Sequence, residues 1–468
     1  MNNQHQGDFY LAPPAAGPLP TNGPRERDVA VIALWSITAL ALAVAVTAGL
    51  WAFIGSRGTG KPVAKEYHGP TRLPWSIPDG NSAFTNPVMV RGIWFMDRTV
   101  VKARPEGIHG FDQGTGKLLW SIPVPRRNQS ICQGSTEATD NIVVLAYGRG
   151  EECDAFYAVD LAARRVLWER TIPPDQWATT NGTRIARSGG TVVVSTDKHL
   201  PTAFRVSDGK LLWKDPEVHG KSSGLCRTTQ YTGGKQLVRI QHCSGYSNIY
   251  YLSAVDSGTG RDQWRYRTEA GLDTRVLSTS PIIIDEPDQG DHLRMTVIDD
   301  NGQVRRHLAI GPGHHALDID DDGSTPTRDV QVKGDKIFVI AEKEHYLDSD
   351  KSQTNKVAAW SLTTGKQLWV QETNIRMQTY KLVDSDTQDI FAYSSGSTSD
   401  LSLLVKFNPD NGTPTIVRRY DPTVPEAITA TEPIPVLRSG ILYLSAGFQN
   451  ASRSTDDWEK SLIALPGS

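Results

Sequence analysis

The sequence predicts an all-β protein, an eight-bladed β-propeller preceded by one transmembrane helix. Three observations predict it. A hairpin-like unit marked by tryptophan returns every 42 to 63 residues, an uncharged run of 26 residues lies near the N-terminus, and the composition is rich in turn formers and tryptophan, with 41 Gly, 28 Pro and 12 Trp in 468 residues. The 49 Lys and Arg against 52 Asp and Glu leave a net charge of -3. Such a balance offers no basic surface to release counterions from a polyanion, which argues against a nucleic-acid partner.

From the N-terminus, residues 1–28 carry Pro13, Pro14, Pro18, Pro20 and Pro24 among Ala, Gly and Asn, and are expected to be a disordered, Pro-rich cytoplasmic tail. Val29 to Ile54 contains no charge over 26 residues. At about 1.5 Å per residue, about 20 residues cross a bilayer, so the run is read as a transmembrane helix with room for tilt. It exceeds the apolar core of a cleaved signal peptide, so a retained signal-anchor is expected. Arg25 and Arg27 on one flank and Arg57, Lys61 and Lys65 on the other do not settle orientation by charge. Paired cysteines favour an oxidising side for the large C-terminal part. The expected placement is therefore a single-pass protein of the plasma membrane with its C-terminal domain outside the cytoplasm, joined through a linker at residues 55–69. Gly55 to Lys61 resembles a phosphate loop, but Pro62 stands where Ser or Thr is required and no strand precedes it.

From residue 70 onward the repeat takes over. Gly107 to Val124, GIHGFDQGTGKLLWSIPV, returns as AFYAVDLAARRVLWERTIP, TAFRVSDGKLLWKDP, YLSAVDSGTGRDQWRYRT and KVAAWSLTTGKQLWVQET. Each copy reads as a strand, a turn and a second short strand ending in Trp, at Trp120, Trp168, Trp213, Trp264 and Trp369. Two degenerate copies place Arg306 and Ile416 at the marker, giving steps of 48, 45, 51, 42, 63 and 47 residues, the length of a four-stranded blade. Apolar runs upstream of the markers (GIWFMD, NIVVLAY, GTVVVST, QLVRIQH, SPIIID, KIFVIAE, DIFAYS, GILYLS) are expected to be inner strands. Trp75 lies in a strand with no blade before it, and SLIALPGS ends the chain where a Trp strand should follow. Joining the two closes a ring and removes two free edges, which makes eight blades, with seven the alternative count. One Trp per blade at one strand position is what docking of each blade on the next requires, so Trp75, Trp120, Trp168, Trp213, Trp264 and Trp369 are assigned to blade packing.

The pattern A-x-D-x-x-T-G-K-x-x-W, visible as FDQGTGKLLW, AVDSGTGRDQW and WSLTTGKQLW, resembles the pyrroloquinoline-quinone-like (PQQ-like) repeat over residues 70–468. That family holds quinoprotein dehydrogenases, the assembly lipoprotein BamB and membrane-tethered propellers. The resemblance implies a propeller and leaves activity open. Quinoproteins share an adjacent Cys-Cys disulfide, an Asp base and a carboxylate-held calcium; this chain has no adjacent cysteines.

Cys132 and Cys153 are 21 residues apart, Cys226 and Cys243 are 17 apart, and two short-range disulfides are the natural reading, with buried free thiols the other. Asp318, Asp320, Asp322 and Gly323 reproduce the start of a calcium loop, with Asp329 at the closing position. Pro326, the absence of the closing Glu and the absence of flanking helices favour an acidic surface turn. His314 and His315 precede it as a solvated loop, and no catalytic string appears elsewhere. The expected function is a membrane-tethered, non-enzymatic binding or scaffolding module for protein or glycan partners, with no cofactor required. A PQQ- or calcium-binding sensor or dehydrogenase, and a BamB-like envelope assembly factor, are the alternatives.

Overall fold

The computed structural model describes residues 75–78, 88–89 and 92–467, apart from 151, 173–177, 180–181, 197–199, 216–217, 220–224, 244–248, 269–273, 288–292, 310–327, 343–354, 373–378, 397–400, 422–432 and 450–459. The expected tail, transmembrane helix and linker lie outside them. Among the described residues no helix is long and apolar enough to cross a membrane.

The described chain is all β, built of consecutive antiparallel four-stranded units; short extra strands join two of them, and a parallel pairing links the last two into one eight-stranded sheet. Sheet A comprises Ile93–Met96, Thr99–Arg104, Gly107–Asp112 and Leu118–Pro123; sheet B comprises Ser130–Gly134, Ile142–Arg149, Glu152–Asp160 and Arg165–Thr171. Sheet C runs through Arg184–Ser188, Thr191–Ser195, Thr202–Arg205 and Leu211–Lys214; sheet D through Leu225–Thr232, Leu237–Cys243, Ile249–Val255 and Asp262–Arg267. Sheet E holds Arg275–Thr279, Ile282–Pro287, Leu293–Ile298 and Val304–Ala309; sheet F holds Val330–Lys333, Lys336–Glu342, Asn355–Ser361 and Gln367–Glu372. Sheet G consists of Tyr380–Ser385, Ile390–Ser394, Ser402–Phe407 and Pro414–Tyr420.

The last sheet, H, takes Ile434–Arg438, Ile441–Ser445 and Lys460–Pro466 from the C-terminus and Trp75–Pro78 from the N-terminus. The register pairs Trp75 with Ala464 and Ile77 with Leu462. The two ends of the domain therefore share one sheet, as their incomplete repeats require. Apolar clusters lie between consecutive sheets, and Ile77, Val436, Tyr443 and Leu462 of sheet H pack with Ile93, Val100 and Phe111 of sheet A. The last sheet thus packs against the first, and the core is distributed between sheets.

The apolar runs predicted as inner strands need a correction. From sheet B onward they are the second strand of each sheet, preceded by a first strand such as Arg184–Ser188 or Val330–Lys333 that carries more polar residues; only GIWFMD is itself a first strand. A second strand is covered on both faces by neighbouring sheets, so it reads as continuously apolar, and Val143 to Tyr147 are all buried. A further correction concerns the fourth strands, which run on beyond their tryptophan: Leu118–Pro123 extends three residues past Trp120.

Candidate binding face

Antiparallel order sorts the connections of each sheet by end. Turns from first to second and from third to fourth strand lie at one end; connections from second to third strand and from one sheet to the next lie at the other. The first end is made of tight turns. In the third turn of sheet A, Asp112 Oδ1 accepts hydrogen bonds from Thr115 Oγ1 (2.8 Å), Thr115 N (2.9 Å) and Gly114 N (3.2 Å). Asp256 repeats this with Thr259. The bonds from Thr115 and Thr259 hold both carboxyls below the usual aspartate range.

In sheets A to E and G this turn receives the tryptophan of the preceding sheet. Gly209, at φ 67°, lies under Trp168, whose indole N–H donates to Val206 O at 2.7 Å. Trp75 reaches Gln113 O (3.1 Å), Trp213 reaches Ser257 O (2.9 Å) and Trp369 reaches Pro409 O (3.1 Å) in the same manner. Trp264 abuts Gly302. Against Trp120 the turn residue is Arg164, at φ 55°, with its guanidinium 5.8 Å from the ring centroid.

Polar bridges also join neighbouring first strands and their turns at this end. Gly234 N donates to Arg187 O at 2.7 Å, and the Arg187 guanidinium donates to Thr139 O (2.9 Å) and Ile142 O of sheet B. Burial pulls Arg187 down to about 10. From sheet F, Lys333 Nζ donates to Ser385 Oγ (3.0 Å), Thr387 O (2.8 Å) and Asp389 O (2.7 Å) of sheet G; desolvation lowers its ammonium. Arg438 of sheet H returns to Asp384 Oδ2 at 2.8 Å, beside a parallel register of Asp384 with Val436. Groups that close this end against its neighbours are not free to hold a ligand.

The opposite end carries the long connections, among them 310–327 and 343–354. This end, like the other, carries ion pairs. In sheet B, Arg126 pairs with Glu169 (2.8 Å) and donates to Thr171 Oγ1 (2.8 Å), Tyr147 bonds Glu169, and Gln129 donates to Asp154 Oδ2 (2.9 Å). Burial pushes the Asp154 carboxyl up, against the opposing pull of Arg126 and Gln129; burial and the Glu169 bond push the Tyr147 phenol well up. In sheet E the buried Asp285 and Glu286 meet Arg275 (3.1 Å) and Arg294 (3.6 Å), and Glu286 accepts from Thr296 Oγ1 at 2.6 Å. Both disulfides, Cys132–Cys153 and Cys226–Cys243, are formed, and each has a cysteine beside a connection at this end.

Of the predicted calcium loop, Asp318, Asp320 and Asp322 lie outside the described residues, as do His314 and His315. Asp329 sits just before the first strand of sheet F, where its carbonyl accepts from Ile340 N at 2.9 Å. Among the described residues no group of three or more His, Cys, Asp or Glu is placed to hold a metal ion. The disulfides span 21 and 17 residues, unlike the vicinal bridge of quinoproteins. Side chains that repeat reading missed include Trp360, buried between sheets E and F where Arg306 replaces the marker, and Tyr420, whose hydroxyl donates to Pro466 O at 2.9 Å where Ile416 does. Both residues are aromatic, which is the one signal the sequence carried.

No curated protein sequence matches the chain. Among solved structures, the computationally designed protein Ika8 is similar with a TM-score of 0.50 at 14% identity, covering 85% of this chain and 100% of its own. BamB from Moraxella catarrhalis aligns with a TM-score of 0.46 at 11% identity over 85% of this chain and 100% of that one. A quinohemoprotein alcohol dehydrogenase from Pseudomonas putida HK5 gives 0.45 at 12% identity over 86% and 76%. A family model described as outer membrane protein assembly factor BamB matches residues 72–233 and 155–412. With well over half of its length matched, the chain belongs to this PQQ-like repeat β-propeller family.

Proposed function

We propose that the chain is a membrane-tethered, extracytoplasmic, eight-bladed β-propeller that works as a non-enzymatic docking module, binding protein partners on the end that carries its long connections. The observation that carries this reading is the contrast between ends: one is occupied by turns bonded across sheets through Arg187, Lys333 and Arg438, while the strands at the other end lead into the long connections. Sheets A to H each supply one blade, and the sheet shared by the chain ends completes the ring. The test is site-specific photo-crosslinking of the full-length protein in cells. Probes within 343–354 and 310–327 are expected to give discrete protein adducts that probes at Arg98 or Lys366 do not. Equal labelling from both ends, or none from the long connections, would overturn the assignment.

The family description favours a second, narrower reading, an envelope assembly factor. It predicts that the discrete adducts contain envelope-assembly components. The rival quinoprotein or sensor reading predicts saturable binding of pyrroloquinoline quinone and dye-linked oxidation of alcohols or sugars by the purified protein.

A further inference from the structure

The two disulfides differ in what they tie and in who can reach them. Cys132 and Cys153 join the first and third strands of sheet B, which are not neighbours, and both are buried. Cys226 and Cys243 face each other in register on neighbouring strands of sheet D, at the open end of a hairpin whose turn lies at the other end. Both are partly exposed. The ladder beneath them continues from Arg227 with His242 to Thr232 with Val238, so the hairpin is already closed by hydrogen bonds. In the unfolded chain the two bridges close loops of similar length, 17 and 21 residues, so they differ in access and in what they tie in the folded sheet. What depends on it is local: the short strand Val218–His219 pairs only with Cys226 and Leu225, and the connection 244–248 starts at Cys243.

We infer that Cys226–Cys243 is a redox-operated clamp on the loop-bearing end, opened by a dithiol reductant ahead of Cys132–Cys153, and that opening frees Val218–His219 while the sheet beneath stays paired. Its regulatory meaning rests on the docking reading; its chemistry does not. The reductant's thiolate attacks one bridge sulfur, the S–S bond breaks, and the departing thiolate takes a proton. The second reductant thiol then attacks the reductant's own sulfur in the mixed disulfide and closes the reductant's disulfide, expelling the protein's other cysteine as a thiolate that takes the second proton. Two electrons and two protons pass to the protein, and the reductant leaves as a disulfide. Attack needs access to the sulfur, which the partly exposed bridge grants and the buried one denies.

The experiment treats the full-length protein with graded dithiothreitol, traps thiols by alkylation and maps them by mass, with hydrogen exchange on the same samples. Cys226 and Cys243 are expected to open at reductant concentrations about tenfold or more below those that open Cys132 and Cys153. Exchange should rise at 216–226 and 243–249 and stay unchanged at 237–241. Simultaneous opening, the reverse order, or opening without change at 216–226 would each overturn the clamp. The paired variant Cys226→Ser/Cys243→Ser should reproduce the open pattern without reductant, and global unfolding of it would overturn the clamp as well. Failure of the docking reading shows separately, as missing adducts from 343–354 in both redox states.

Discussion

At the scale of single residues, the contact between a tryptophan and the turn of the next sheet explains most of the repeat. Trp168 is only 8% exposed, its ring covered by Gly209 and its N–H bonded to Val206 O. Trp168→Ala is expected to cost about 3–5 kcal/mol in urea unfolding. Gly209→Ala places a Cβ 2.6 Å from the same ring at a positive φ, and about 2 kcal/mol or more should be lost by the same measure. The Asp of the motif acts on its own turn. Asp112 and Asp256 are held below the ordinary aspartate value by Thr115 and Thr259. Their charged forms thus contribute stability that is fully present above the unfolded value, about 3.9, and lost as pH falls through the lower native value. The thermal midpoint should fall more steeply below about pH 4 in the native protein than in Asp112→Asn/Asp256→Asn. Equal slopes would mean that the turns do not hold the charge.

Elements obey a rule that single residues do not reveal. Second strands lie between two sheets and each contains a run of buried apolar residues, which made them legible; first strands such as Arg184–Ser188 and Val330–Lys333 carry shorter apolar runs with more polar residues, and were missed. Their polar residues are spent on bridges such as that of Arg187 to Thr139 O, a use with no sequence period. The disulfide between Cys132 and Cys153 ties strands that hydrogen bonds do not join directly. Replacing both by Ser should cost about 2–4 kcal/mol, measured by denaturant midpoint.

For the whole molecule, closure depends on Trp75–Pro78 completing sheet H. Removing residues 1–79 leaves Lys460–Pro466 as a free edge and uncovers part of the packing of Ile77 with sheets H and A. The shortened protein is expected to unfold at lower urea and to self-associate in size-exclusion chromatography, whereas a cut at residue 69 should do neither. The uncharged run Val29–Ile54 carries a separate expectation. Full-length protein should stay in the membrane pellet after carbonate extraction, and deletion of 29–54 should release it; release of the intact protein would remove the tether from the proposed function.

The repeat, the marker tryptophans and the sharing of one sheet by the two chain ends were determined by the sequence alone, whereas the pairing of the cysteines was its natural reading and the structure formed the bridges. Each leaves a periodic or complementary trace, because each blade must solve the same packing problem against the next. Only the tertiary structure decided that Trp360 and Tyr420 fill the junctions left by Arg306 and Ile416. It alone placed Arg187, Lys333 and Arg438 across the tight end and set one disulfide within reach of solvent and the other away from it. These depend on which side chains meet between sheets, and that meeting has no period along the chain.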